Sequence, residues 1–220
     1  MSLAKEIIVI NPNSNEHVTD SMNTALNLFR FANGPIIKSV TNLDGPPGIE
    51  SQQDSDSAAV QVVDIIKRNN IADAFVIACF SDPGIFAARE VTNKPVFGIA
   101  ESGILTALSL GSSYGILAIL NTSVARHLRY IRSLGLEKRL AGDLAIGLSV
   151  AELSDEKKTF HRLKEVGRKL RDDSGASVLI LGCAGMARYR LGLQECLGIP
   201  VVDPSQAAVS MAISAVLLNN

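Results

Sequence analysis

The stretch Phe75-Val76-Ile77-Ala78-Cys79-Phe80-Ser81-Asp82-Pro83-Gly84 decides the fold, because its outline returns later as Val178-Leu179-Ile180-Leu181-Gly182-Cys183-Ala184-Gly185-Met186. Each copy is an apolar strand that ends at a cysteine, passes through small residues and enters a helix. A second short strand opened by proline follows at matching distance: Cys79 to Pro95 is 16 residues and Cys183 to Pro200 is 17. The openings of the two halves correspond as well, Val9-Ile10-Asn11-Pro12-Asn13-Ser14 matching Ile119-Leu120-Asn121-Thr122-Ser123. The order Asn motif, Cys motif, Asn motif, Cys motif predicts two similar lobes related by a pseudo-two-fold.

Outward from these motifs, short Val- and Ile-rich runs alternate with amphipathic segments. Strands are expected at 6–10, 36–41, 74–79, 95–99, 114–120, 144–150, 178–182 and 200–202. Helices are expected at 16–31, 54–69, 83–92, 102–110, 123–134, 154–173, 187–197 and 205–218. Several strands are apolar throughout, as parallel strands covered on both faces are. The alternation predicts an α/β fold: two pseudo-symmetric lobes, each a short parallel sheet flanked by helices, with an active site in the cleft between them. Residues 1–99 plus 205–220 are expected to form the first lobe and 100–204 the second. The loop over 42–53, with Gly45-Pro46-Pro47-Gly48, is long enough to be either functional or a plain excursion. Glu50-Ser51-Gln52 at its end is a candidate for closing the cleft.

Composition narrows the function classes. The chain has 220 residues, 47% of them apolar, and 21 Lys and Arg against 22 Asp and Glu leave a formal charge of −1. Near-neutrality argues against a surface that neutralises many phosphates, so no nucleic-acid partner is expected. Only 5% of residues are aromatic and there is no Trp, which weakens any base-stacking role. No apolar run approaches the roughly 18 residues of a membrane span, and no membrane partner is expected. Three cysteines cannot form a dense disulfide framework. Residues 1–6 lack the layout of a signal peptide, so the expected location is cytoplasmic, with reduced thiols.

All four repeated motifs lie at the carboxyl ends of strands, where open α/β sheets bind ligands. Two facing lobes place Cys79 and Cys183 across one cleft, each at a helix N-terminus whose free N–H groups favour a thiolate and can hold an enolate oxygen. Opposed thiols suit one reaction: one takes a proton from a carbon beside a carbonyl and the other returns a proton to the opposite face, inverting a stereocentre without a cofactor. Such acid–base help contributes roughly 10²–10⁴ in rate. Asn11, Asn13, Ser14, Thr122 and Ser123 add neutral hydrogen-bonding groups for the substrate, and Phe80, Ser81, Ala184, Gly185 and Met186 flank the thiols. Glu101 is open to two readings, substrate contact or a helix-start acid favoured by the dipole. Asp82 is expected to cap a helix beginning at Pro83. Met186 faces either ligand or core. Cys196 has no repeat counterpart and reads as a packing or helix-face residue. His17, His127 and His161 lack metal-ligand spacing, and Arg126, Arg129 and Arg132 read as a solvated stripe. No metal site is expected. Against the enzyme stands a two-lobed binding protein, which needs the cleft but not both thiols.

Ile10-Asn11-Pro12-Asn13-Ser14, Ala78-Cys79-Phe80-Ser81-Asp82-Pro83-Gly84 and Leu181-Gly182-Cys183-Ala184-Gly185-Met186 together resemble the aspartate/glutamate/hydantoin racemase superfamily, most closely its hydantoin and allantoin racemase branch. The resemblance covers essentially the whole chain. It implies a cofactor-independent two-base mechanism with Cys79 and Cys183 as acid and base, a small-molecule substrate and a homo-oligomer. Glutamate racemases typically carry Cys-Asn-Thr and Gly-Cys-Thr-His, where this chain has Cys79-Phe80-Ser81 and Gly182-Cys183-Ala184-Gly185. The motif segments are mostly neutral, which favours a 5-substituted hydantoin or a related ureide such as allantoin over a dicarboxylate. A free amino-acid racemase of aspartate or glutamate and a maleate-isomerase-like activity remain as alternatives. Both cysteines are present, which disfavours the related arylmalonate decarboxylases.

Overall fold

Among the described residues, eight strands and eight α-helices alternate, and the strands sort into two sheets of one design. The computed structural model describes residues 5–218, so the reading of residues 1–6 as lacking a leader lies mostly outside it. In the first sheet β1 (Glu6–Asn11) pairs with β2 (Ile36–Thr41) on one side and β3 (Ala74–Ile77) on the other, with β4 (Val96–Gly98) beyond. In the second, β5 (Tyr114–Ala118) pairs with β6 (Leu140–Ala145) and β7 (Val178–Leu181), with β8 (Val201–Val202) beyond. Both orders, β2-β1-β3-β4 and β6-β5-β7-β8, are wholly parallel, and the repeat read in the sequence is a repeat of topology. Every residue of β3, β5 and β7 is buried, which is why these strands are apolar without alternation.

Helices cover both sheets: α1 (Glu16–Ala25), α2 (Gln52–Arg68), α3 (Ile85–Val91) and α4 (Ile99–Leu110) in the first half, α5 (Asn121–Ser133), α6 (Glu156–Asp172), α7 (Arg190–Leu197) and α8 (Pro204–Leu218) in the second. The last helix returns to the first sheet, packing on β1, β3 and β4, and also lies along α4. Helix α4 touches β4 of one sheet and β5, β7 and β8 of the other. One apolar cluster consequently runs through both halves, joining Val9 and Val76 to Leu117 and Leu179 through Ile99, Ala208 and Ala212.

Three expectations need correction. The strand placed at 144–150 runs instead over Leu140–Ala145. Ladder pairing with β5 ends at Ala145, and Gly147 turns the chain at φ 74. Ile146, Leu148 and Val150, the apolar residues that suggested a strand, are buried in irregular backbone. Helix α2 starts earlier than expected because Ser51 and Asp54 form a capping box, each side chain accepting the other's backbone N–H. Cys79 does not sit at a helix N-terminus: α3 begins only at Ile85, after a turn closed by the Asp82 N–H to the Cys79 carbonyl at 2.9 Å.

Candidate active site

Each thiol follows the end of a buried central strand. The Ala78 N–H donates to the Ile10 carbonyl at 2.8 Å, one step past β3, and Gly182 donates to Leu117 at 2.9 Å, one step past β7. Cys79 and Cys183 come next, and both line one cleft between the halves. The cleft also takes Asn13, Phe80, Ser81, Ser123 and Ala184, five of the residues singled out in the sequence.

The local backbone is alike at the two sulfurs. Cys183 caps a short 3₁₀ helix, Ala184–Tyr189. The N–H of Gly185 faces the Cys183 sulfur, and the N–H of Ser81 faces the Cys79 sulfur, so each thiol has the amide two residues on as its donor. These donors do not make the thiols acidic, as helix N-termini were expected to. Burial pushes Cys79 up to about 12, against the pull of the Arg126 cation. Burial likewise pushes Cys183 up to about 11, against the Gly185 N–H. Both sulfurs are therefore thiols in the ligand-free protein at neutral pH.

The turn after Cys79 is held by a strained residue. Asp82 has φ 44, in the left-handed region. Its carboxylate accepts the N–H groups of Ala100 and Glu101, both at 2.9 Å, and the Tyr130 hydroxyl at 3.0 Å. Asp82 thus caps α4 across the chain rather than a helix at Pro83, which corrects the expectation. Burial raises Asp82 to about 7.

Six of the expected binding residues lie beside the cleft or away from it. The Asn11 side chain is fully buried and bonds to Asn13, Asn15 and Thr19, which shapes the loop. Because the Asn13 Oδ1 accepts from Asn11 and Asn15, its amide nitrogen is the group offered to a ligand. Ser14 ties its N–H to Pro46. Thr122 is exposed and donates to the Glu50 carbonyl at 2.9 Å. Glu101 pairs with Arg89 at 2.7 Å, so of its two readings the helix-start acid is the one the geometry fits. Gly185 contributes its N–H alone, and Met186 is fully buried in the core.

Other cleft residues escaped sequence reading. Ser123, Arg126 and His127 share one face of α5 at i, i+3 and i+4, whereas the sequence reading followed Arg126, Arg129 and Arg132. Arg126 is 7% exposed. Its Nε donates to the Ser81 hydroxyl at 2.7 Å and its Nη2 to the Ser123 hydroxyl at 3.3 Å, spanning the two halves. His127 holds Asp143 at 2.9 Å, with side chains 2% and 3% exposed, and meets the Phe80 ring edge-on at 5.1 Å. The loop over 42–53 reaches the second half too: Ile49 lines the cleft, and the Glu50 Oε1 accepts the Val150 N–H at 2.8 Å. Among the described residues no group of three or more His, Cys, Asp or Glu is placed to hold a metal, and no helix is long and apolar enough to cross a membrane.

Comparison with known proteins agrees with this architecture. The profile of the Asp/Glu/hydantoin racemase family matches residues 7–212. A hydantoin racemase of Paenarthrobacter aurescens is 36% identical over 217 residues, covering 96% of this chain and 91% of that protein. An allantoin racemase from Klebsiella pneumoniae superposes with a TM-score of 0.90 at 33% identity, over 98% of this chain and 89% of that one. The allantoin racemase of Pseudomonas fluorescens gives 0.93 at 28% identity, over 97% and 92%. Paired parallel sheets, a cleft holding both thiols and similarity along the whole chain converge on one assignment: the chain is an isomerase belonging to the Asp/Glu/hydantoin racemase family.

Proposed function

We propose that the protein racemises 5-substituted hydantoins or a related cyclic ureide such as allantoin, with Cys79 and Cys183 as the two proton-transfer groups and no cofactor. The observation that carries this reading is that both thiols line a single cleft from corresponding strand ends of the two sheets. One thiolate takes the proton from C5, and the C–H electron pair moves onto the neighbouring carbonyl oxygen as an enolate. The other thiol protonates C5 from the opposite face and becomes the thiolate, ready for the other enantiomer. The Asn13 amide is a fixed donor for the ring and its developing charge, and the N–H beside each sulfur steadies that sulfur as a thiolate.

Incubation of single enantiomers of 5-substituted hydantoins, allantoin, aspartate and glutamate in deuterated water, followed by optical rotation and α-proton loss, tests the reading. Racemisation with solvent deuterium entering C5 of the ureides is expected. Cys79→Ser and Cys183→Ser should each abolish racemisation, while one variant still exchanges the α-proton of one enantiomer. Fully active single variants, or exchange confined to the amino acids, would overturn it.

A further inference from the structure

Arg126 is the one cleft residue whose charge the fold leaves without a counter-ion. Among the described residues no carboxylate oxygen lies within 4.0 Å of its guanidinium. Its Nη1 is buried and has no hydrogen-bond partner, although Nε and Nη2 are engaged by Ser81, Ser123 and the Ile49 carbonyl. An unpaired buried cation is costly, as is an unmade hydrogen bond of a charged donor. A structural arginine avoids both costs by pairing with an acid; this one has no ion-pair partner among the described residues, and only the more distant Asp54 feels its charge. The side chain is also held in place: its Nε and Nη2 bond to two serines and a carbonyl from three separate segments, and the residue lines the cleft.

We propose that Arg126 is the substrate-anchoring residue of the cleft, its Nη1 donating to a ring oxygen that carries negative charge in the bound imide anion or the enolate. The inference rests on the racemase reading above and deepens it: the preferred ligand is a planar cyclic ureide with an electron-rich oxygen beside the stereocentre, so the cleft is not neutral as the motif segments implied. It also makes the two thiols unequal. Arg126 bonds to Ser81, two residues from Cys79, and its charge acts on that sulfur, whereas Cys183 has only the Gly185 N–H opposing its burial. An amino-acid carboxylate presents the same acceptor chemistry, so the test includes one.

The test compares binding of barbiturate, a planar ureide that is anionic at neutral pH, with uracil, its neutral relative, and with D-glutamate, by calorimetry on the full chain. The wild type should prefer barbiturate over uracil by roughly 10- to 150-fold, the worth of one charge-assisted hydrogen bond. In Arg126→Gln that ratio should fall to about 1, and Arg126→Lys, which keeps the charge without the fork, should fall between. No preference in the wild type, an undiminished ratio in Arg126→Gln, or Arg126-dependent binding of D-glutamate alone would overturn the proposal. Should Arg126→Gln not fold, a crystal structure of the wild type with barbiturate decides: a ring oxygen within hydrogen-bond distance of Nη1 supports it, and a pose without that contact overturns it. Failure to racemise any hydantoin would remove the proposed reaction while leaving the anion preference measurable, so the two failures are distinct.

Discussion

The Asp82 carboxyl carbon lies 2.1 Å from the point where a β-carbon on Gly98 would stand. Gly98 is the N-cap of α4 and has no side chain to cap it, so the Asp82 carboxylate fills that place from another loop. In the second half the equivalent residue caps its own helix: Asp203 precedes α8 and accepts the Gln206 N–H at 2.8 Å. The first half has thus exchanged an N-cap side chain for a link between α4 and the turn that carries Cys79.

Gly98→Ala therefore cannot be accommodated without displacing Asp82. Forced overpacking of this kind typically costs about 1–3 kcal/mol, and the displaced carboxylate carries the Cys79 turn with it. Urea denaturation should register a loss of that order, and proton exchange at the substrate α-carbon should fall by at least about tenfold. A fully active Gly98→Ala variant would show that the turn does not depend on this contact.

The pH dependence of turnover follows from the raised thiols. With Cys79 at about 12 and Cys183 at about 11, the thiolate fraction at neutral pH is small and grows with alkalinity. The value of kcat/KM should climb about tenfold per pH unit from neutrality upward until the lower thiol titrates. Rates measured from pH 7 to 10 check this, and a plateau already reached near pH 8 contradicts it.

Stability should respond in the opposite sense. Burial raises Asp82 to about 7 and Asp203 to about 6, both above the unfolded value of 3.8. The folded state then holds protons that the unfolded state has released, and this share of the stability is present below about pH 4 and lost as pH rises through 6 to 7. Asp203→Asn keeps an acceptor for Gln206 and removes the titration. The stability difference between variant and wild type should shift by roughly 2–3 kcal/mol in the variant's favour between pH 4 and 7. Parallel urea midpoints across that range would exclude Asp203 as the source.

What the sequence carried and what it hid can be traced to particular residues. The twin cysteine strands were legible because parallel strands buried on both faces are apolar throughout and end abruptly at their motifs. Strand β6 was misplaced because it is an edge strand with Gly142 and Asp143 inside it, while the apolar residues after it are buried outside the regular ladder. Arg126 and His127 were hidden because only tertiary closure decides which face of α5 is inside; read with Arg129 and Arg132, Arg126 looks as solvated as they are. The raised thiols were unreadable for a related reason. Motif geometry supplies the N–H donors, but the burial that outweighs them arises only when the whole chain closes around the cleft.

Helix α8 has a consequence for the order in which the molecule is made. Its Ala208, Val209 and Ala212 seal apolar surface shared with Val9 and Val76, yet the helix is separated from those strands by the entire second half. A nascent chain emerging from the ribosome can therefore form its first sheet early but must leave that face uncovered until α8 itself has been made. The first half to be translated is the last to be sealed.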